Sequence, residues 1–128
     1  MSTMFWGCKS LTNIDLSNCN TCNVSNMEKM FCNCESLTNI DLSNFNTQNV
    51  TSMCCMFNLC KSLTHIDLSN FDTRKVTNMI GMFFGCDSLI NIDLSNSNRQ
   101  NFMNKIAITG CTSLIKKSKN IILKKQYL

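Results

Sequence analysis

Met56-Phe57-Asn58-Leu59-Cys60-Lys61-Ser62-Leu63-Thr64-His65-Ile66-Asp67-Leu68-Ser69-Asn70-Phe71-Asp72-Thr73-Arg74-Lys75-Val76-Thr77-Asn78-Met79 is the stretch on which the fold turns. Its elements, Met-Phe, then Cys, Ser-Leu and Ile-Asp-Leu-Ser-Asn, return every 26 residues, opening at Met4-Phe5, Met30-Phe31, Met56-Phe57 and Met82-Phe83. A fixed period of about 20 to 30 residues marks units that cannot bury their apolar positions alone and do so only against their neighbours. The units run over residues 4–29, 30–55, 56–81 and 82–105, with a partial fifth at 106–115, so that 1–115 is one repeat domain and 116–128 a basic tail.

Within each unit the periodicity changes. Leu37-x-x-Ile40-x-Leu42 and its copies have the L-x-x-L-x-L form of a leucine-rich repeat, and Ile-Asp-Leu alternation places two apolar residues on one strand face and Asp on the other. After the turn at Ser43-Asn44, the apolar positions Val50, Met53, Met56-Phe57 and Cys60 are spaced by three and four, which predicts a short helix or 3₁₀ segment returning to the next strand. Thr47, Asn49 or Thr51, with Thr21, Asn23, Ser25, Thr73 and Thr77 in equivalent places, would cap its start. The expected fold is an α/β solenoid: a short leucine-rich repeat arc, with a parallel β-sheet on one face and short helices or 3₁₀ turns on the other. Four strands at the spacing of adjacent strands give a sheet only about 15 to 20 Å wide.

A chain of 128 residues leaves no room for a second domain. The formal charge of +4 belongs to the end of the chain: residues 1–104 carry six basic and eight acidic side chains, residues 105–128 six Lys and no acid. No apolar run reaches the roughly 18 residues of a membrane span, and Met1-Ser2-Thr3-Met4 is not the opening of an export signal, so the chain as written is expected in the cytoplasm. Repeat one opens directly at Met-Phe, which leaves Trp6, Leu11, Ile14 and Leu16 on an expected bare face. The tail, with Ile121, Ile122, Leu123, Tyr127 and Leu128 among its Lys residues, reads as a cap folded over the last repeat, with contact to an acidic membrane as the alternative.

Met56 to Met79 carries nearly every position of a motif that resembles the BspA-like bacterial surface-protein repeat of about 26 residues, and the resemblance runs from residue 4 to about 104. It implies a non-enzymatic leucine-rich repeat solenoid, a surface or secreted setting, and a role in adhesion or host interaction.

The candidate binding face comprises the outward residues of the four strands: Asn13, Asp15 and Ser17; Asn39, Asp41 and Ser43; His65, Asp67 and Ser69; Asn91, Asp93 and Ser95. Carboxylates stacked about 5 Å apart repel by roughly 1 kcal/mol in water and about 3 at an effective dielectric of 20, so each needs compensation from Ser, Thr and Asn donors, from a hard cation such as Ca²⁺, or from the Lys or Arg of a partner. Asn18, Asn44, Asn70 and Asn96 are expected to form a turn ladder, each amide satisfying backbone groups of the adjacent repeat.

Five of the ten cysteines, Cys8, Cys34, Cys60, Cys86 and Cys111, share one column and are read as small apolar core residues; Cys19 fills the slot of Phe45 and Phe71. Stacked cysteines would permit disulfides in an oxidising compartment. Cys22, Cys32, Cys54 and Cys55 lie outside the column and are the expected reactive thiols; Cys19, Cys22, Cys32 and Cys34 could at most be drawn together as a zinc set. Met27, Met53 and Met79 are core positions, and the sequons at Asn23-Val24-Ser25 and Asn49-Val50-Thr51 are products of the repeat. His65, Asp67 and Ser69 fall in one outward row, but such a row makes no pocket with an oxyanion site.

The function expected is therefore a non-enzymatic protein-protein interaction module with no metal and no cofactor. Its partner is expected to be a protein rather than a nucleic acid, with self-association through bare end repeats as a further property. The alternatives are a structural or degenerate fragment of a longer array and a Ca²⁺-binding strip along the Asp column.

Overall fold

A computed structural model of the chain describes residues 1–95 and residue 111. Asn96, the expected repeat boundaries beyond it, the fifth repeat apart from Cys111, and the basic tail lie outside these residues.

Each repeat hydrogen-bonds to the next at an offset of one period. The amides of Phe5, Phe31 and Phe57 donate to the carbonyls of Met30, Met56 and Met82, each at 2.9 Å. Two residues earlier, Thr3, Lys29 and Cys55 donate to Glu28, Cys54 and Ile80; two residues later, Gly7, Asn33 and Leu59 donate to Cys32, Asn58 and Phe84. Beyond the cysteine the direction reverses, and Ser36, Ser62 and Ser88 donate back to Lys9, Glu35 and Lys61 of the preceding repeat.

The strands are short. β1, His65–Asp67, pairs in parallel with β2, Asn91–Asp93, in the register His65 to Asn91, Ile66 to Ile92 and Asp67 to Asp93. The equivalent residues 13–15 and 39–41 are not strands, so among the described residues the sheet has two strands where the sequence predicts four. Part of the reason is local: the Asn13 side-chain oxygen takes the Ile14 amide at 2.8 Å, diverting a donor that ladder pairing needs. Parallel bridges at Asn26, Ser52 and Asn78 tie the repeats together at a second place.

The helical return does not form; no described residue is helical. Its place is taken by successive i to i+3 turns, including Cys34 to Phe31, Cys60 to Phe57 and Cys86 to Phe83, each at 3.2 Å. Two columns enforce this. Thr3, Lys29, Cys55 and Gly81 all have φ between 53° and 61°, and Gly7, Asn33, Leu59 and Gly85 all have φ between 59° and 75°. A left-handed residue at two places four apart breaks any right-handed helix. At Gly85 a Cβ would also sit 2.6 Å from the end of the Leu59 side chain, so glycine there serves both the turn and the packing.

The core lies inside the stacked turns. Phe5, Phe31, Phe57 and Phe83 form a continuous column with ring centroids 5.3, 5.5 and 5.6 Å apart and planes within 7° of parallel, an offset stack. Met30, Met56, Leu37, Leu63 and Leu89 are fully buried beside it, as are Met27 and Met53; Met79 is half-buried. Cys19 packs half-buried against the core in the slot that Phe45 and Phe71 fill. No helix among the described residues is long and apolar enough to cross a membrane.

The threonines expected to cap helices bridge repeats instead. Thr21 Oγ1 accepts from the Asn46 amide at 2.8 Å and donates to its carbonyl at 3.0 Å; Thr47 does the same to Asp72 at 2.8 and 3.1 Å. A buried hydroxyl thus satisfies both backbone groups of one residue in the next repeat.

Candidate functional site

The residues expected to form the binding face are exposed or half-buried, and those on β1 and β2 lie in register. On β1 and β2 only the central Ile66 and Ile92 turn inward, so His65, Asp67, Asn91 and Asp93 are exposed in register, and Asn13, Asp15, Asn39 and Asp41 are exposed in the same columns. Ser17, Ser43 and Ser95 are exposed and Ser69 half-buried.

Each Asp is pinned by its serine. The amides of Ser17, Ser43, Ser69 and Ser95 donate to Asp15, Asp41, Asp67 and Asp93 Oδ1 at 2.8 to 2.9 Å. The bond stops the strand at the following turn and fixes the carboxylate's direction. Bonds from the serine backbone, then its side chain, lower the pKa of Asp15 and Asp41; for Asp67 the side-chain bond leads, and Asp41 pushes weakly upward. At Asp15, Asp41 and Asp67 serine donors thus favour the charged carboxylate.

The asparagine ladder holds the turn behind this face. Asn44 Nδ2 donates to the carbonyls of Leu16 and Ser17, both at 2.9 Å, and Asn70 Nδ2 reaches those of Leu42, Ser43 and Phe45 at 3.0 to 3.1 Å. Elsewhere Asn49 Nδ2 donates to Cys22 O at 3.0 Å, giving that sequon asparagine a structural task.

The cysteine column does more than fill space. Cys34, Cys60 and Cys86 are fully buried, and each thiol points at a phenylalanine carbonyl one repeat upstream: Phe5, Phe31 and Phe57 at 3.2, 3.2 and 3.0 Å. Cys111 continues the series onto Phe83 at 2.7 Å. A thiol is a weak donor, but the bonds to Phe31, Phe57 and Phe83 are buried and that to Phe5 partly so. Burial raises the thiol pKa to about 11 at Cys34 and Cys111 and to about 12 at Cys60. All ten cysteines are free; Cys8 and Cys22 are exposed, Cys54 and Cys55 half-buried with their sulfurs 3.7 Å apart, and Cys32 buried.

The remaining readings are not assembled. No three His, Cys, Asp or Glu side chains converge among the described residues, so Cys19, Cys22, Cys32 and Cys34 stay apart. His65 is exposed with Nδ1 3.0 Å from Thr64 Oγ1, and Asp67 is engaged by Ser69 rather than by the imidazole. A shallow groove of about 330 Å³ lies between Gln48, Asp72, Arg74 and Lys75, where the Arg74 guanidinium is clamped on Asp72 and holds its pKa at about 2.

One feature of the site's flank escaped sequence reading. Lys9 and Lys61 grip Glu35 from either side at 3.0 and 2.8 Å. The signal was present: Lys9, Glu35, Lys61 and Asp87 follow the cysteine in one column and alternate in sign.

Neither the curated proteins nor the solved structures offer a match to this chain. One family model, described as Mycoplasma protein of unknown function, DUF285, matches residues 1–120. With nearly the whole chain inside that match, the protein belongs to the DUF285 family.

Proposed function

We propose that the chain is a non-enzymatic protein-interaction module, a short solenoid of leucine-rich repeat type that binds through its outward Asn/His, Asp and Ser columns. The observation that carries this reading is the row of four serine-pinned carboxylates, exposed and repeated once per unit. Fixed charges at a spacing near that of adjacent strands suit a partner that offers Lys or Arg at a matching repeat, since such a surface is complementary without rearrangement. The likeness of the repeat to BspA-like surface proteins supports the same class of role, adhesion by contact rather than chemistry.

The test is anisotropy of a labelled oligo-lysine peptide titrated with the protein, with labelled oligo-glutamate as the control. Saturable binding of oligo-lysine alone is expected, weakened by salt and lost when Asp15, Asp41, Asp67 and Asp93 are all changed to Asn. Asn keeps the oxygen that accepts the serine amide, so the turn survives. Equal binding by the four-Asn variant, or no binding by the native chain, would remove the proposal.

A further inference from the structure

We infer that Cys54 and Cys55 form a binding site for a soft metal ion of low coordination number, such as Cu(I), held between their two sulfurs. The pair is not a packing feature of the repeat: the equivalent positions are Glu28-Lys29 upstream and Ile80-Gly81 downstream, and the core cysteines fall in another column. Both residues are half-buried, and their sulfurs stand 3.7 Å apart. Successive side chains on an extended strand point to opposite faces. Here Cys55 takes the left-handed conformation, with φ 55°, and the two thiols converge.

The neighbouring repeats hold this turn in place. The Cys54 carbonyl accepts the Lys29 amide of repeat one, and the Cys55 amide donates to the Ile80 carbonyl of repeat three, each at 2.9 Å. Ser52 Oγ faces the Cys54 amide at 3.5 Å and is itself anchored on Glu28 Oε1 at 2.6 Å. Downstream, the residue against Cys55 Sγ is Gly81, where a Cβ would lie 3.4 Å from the sulfur, so that residue has no side chain to cover it. A dithiol already fixed in position loses little freedom on binding an ion.

The donor set selects the ion. Thiolates favour soft ions such as Cu(I), whereas a structural zinc ion takes four ligands, and no third His, Cys, Asp or Glu joins the pair among the described residues. The nearby groups are engaged elsewhere: Glu28 by Ser52, and the buried Cys32 thiol toward Asn58 Oδ1 at 3.9 Å. Two bonds of about 2.3 Å, the length of a zinc–thiolate bond, span any sulfur separation up to about 4.6 Å, so an ion bridges the pair as it stands. A disulfide does not, because adjacent Cα atoms are about 3.8 Å apart and an unstrained bridge needs at least about 4.4 Å. The Cys54 thiol, raised to about 11 by burial first and then by Cys55, is protonated at neutral pH, so uptake displaces its proton. At each sulfur the S–H bond breaks, the proton passes to water and the electron pair forms the bond to the ion, which stays Cu(I).

Competition against the coloured Cu(I) chelator bicinchoninate, with Cu(I) as the probe and oxygen excluded, tests this on the 128-residue chain. The native chain should withdraw one ion from the chelator. Cys54→Ser and Cys55→Ser should each weaken binding by at least about a hundredfold, more than the loss of an outer-shell partner costs. A variant carrying Cys8→Ser and Cys22→Ser, changed at the two exposed thiols, should bind like the native chain. X-ray absorption at the copper edge of the loaded native chain should show two sulfur neighbours, a reading that does not depend on how any variant folds. No withdrawal of Cu(I) by the native chain, full affinity in either single-serine variant, loss of binding in the Cys8 and Cys22 variant, or three or more sulfurs around the copper would overturn the inference.

Discussion

Three asparagines in one column should respond differently to the same substitution. Asn70 supplies its amide to Leu42, Ser43 and Phe45 carbonyls, of which those of Leu42 and Phe45 are partly buried. Truncation to Ala leaves the Phe45 carbonyl without its donor, while the Leu42 carbonyl keeps the Phe45 amide and the exposed Ser43 carbonyl turns to water, so Asn70→Ala should lose about 1.5 to 2.5 kcal/mol. Asn44 serves the Leu16 carbonyl, which keeps the Cys19 amide, and the exposed Ser17 carbonyl, which turns to water, so Asn44→Ala should lose about 0.5 to 1 kcal/mol. Asn18, exposed in repeat one, faces no upstream repeat among the described residues and should lose under about 0.5 kcal/mol. Urea unfolding at neutral pH, followed by circular dichroism with the slope held common, reads all three. Equal losses at the three positions would refute the argument, because the differences come only from contacts one repeat upstream.

Other consequences are as direct. Phe57→Ala, inside the ring column, should lose about 3 to 5 kcal/mol, and Phe5→Ala, with one ring neighbour, clearly less; equal losses in denaturant would contradict the column. Glu35→Lys replaces two attractive contacts with three stacked like charges, so it should destabilise at low salt and recover with added salt; salt-independent loss would point to packing instead. Buried thiols have pKa values raised from 9.0 to about 11 at Cys34 and about 12 at Cys60, so their contribution is intact below pH 9 and lost as pH rises through 11 to 12. The urea midpoint should fall over that window, and a flat profile would contradict it. In mass spectrometry after brief alkylation in the folded state, Cys8 and Cys22 should carry label and Cys34, Cys60 and Cys86 none.

Much of this stack is legible in the chain because burial in a repeat protein is a column property. The Met, Phe, Cys and Leu positions recur at one register, and the structure buries them as that recurrence implies, down to Cys19 in the Phe45 slot. Of the two forms expected for the return segment, a short helix or 3₁₀ turns, the described residues show i to i+3 turns and no helix. Turns linked by i to i+3 bonds place apolar residues three and four apart just as a helix does, so spacing alone does not separate the two. Gly7, Gly81 and Gly85 were the discriminating signal, since all three fall in the left-handed columns; Lys29, Asn33, Cys55 and Leu59 occupy the same columns and hide it. At the candidate face, the Asp rows were readable from alternation, and the serine two residues on was the donor they needed. Thr21 and Thr47 were placed as caps because a buried hydroxyl bridging two repeats has no signature within a single one.

The central claim is that backbone bonds run between repeats rather than within a helical turn. Scalar couplings across hydrogen bonds, measured by NMR on isotope-labelled protein, test it most directly. Correlations from the Phe31 amide nitrogen to the Met56 carbonyl carbon and from Phe57 to Met82 are the result expected. Correlations from Phe31 to Met27 and from Phe57 to Met53, the i to i−4 pattern of a helix, would contradict it.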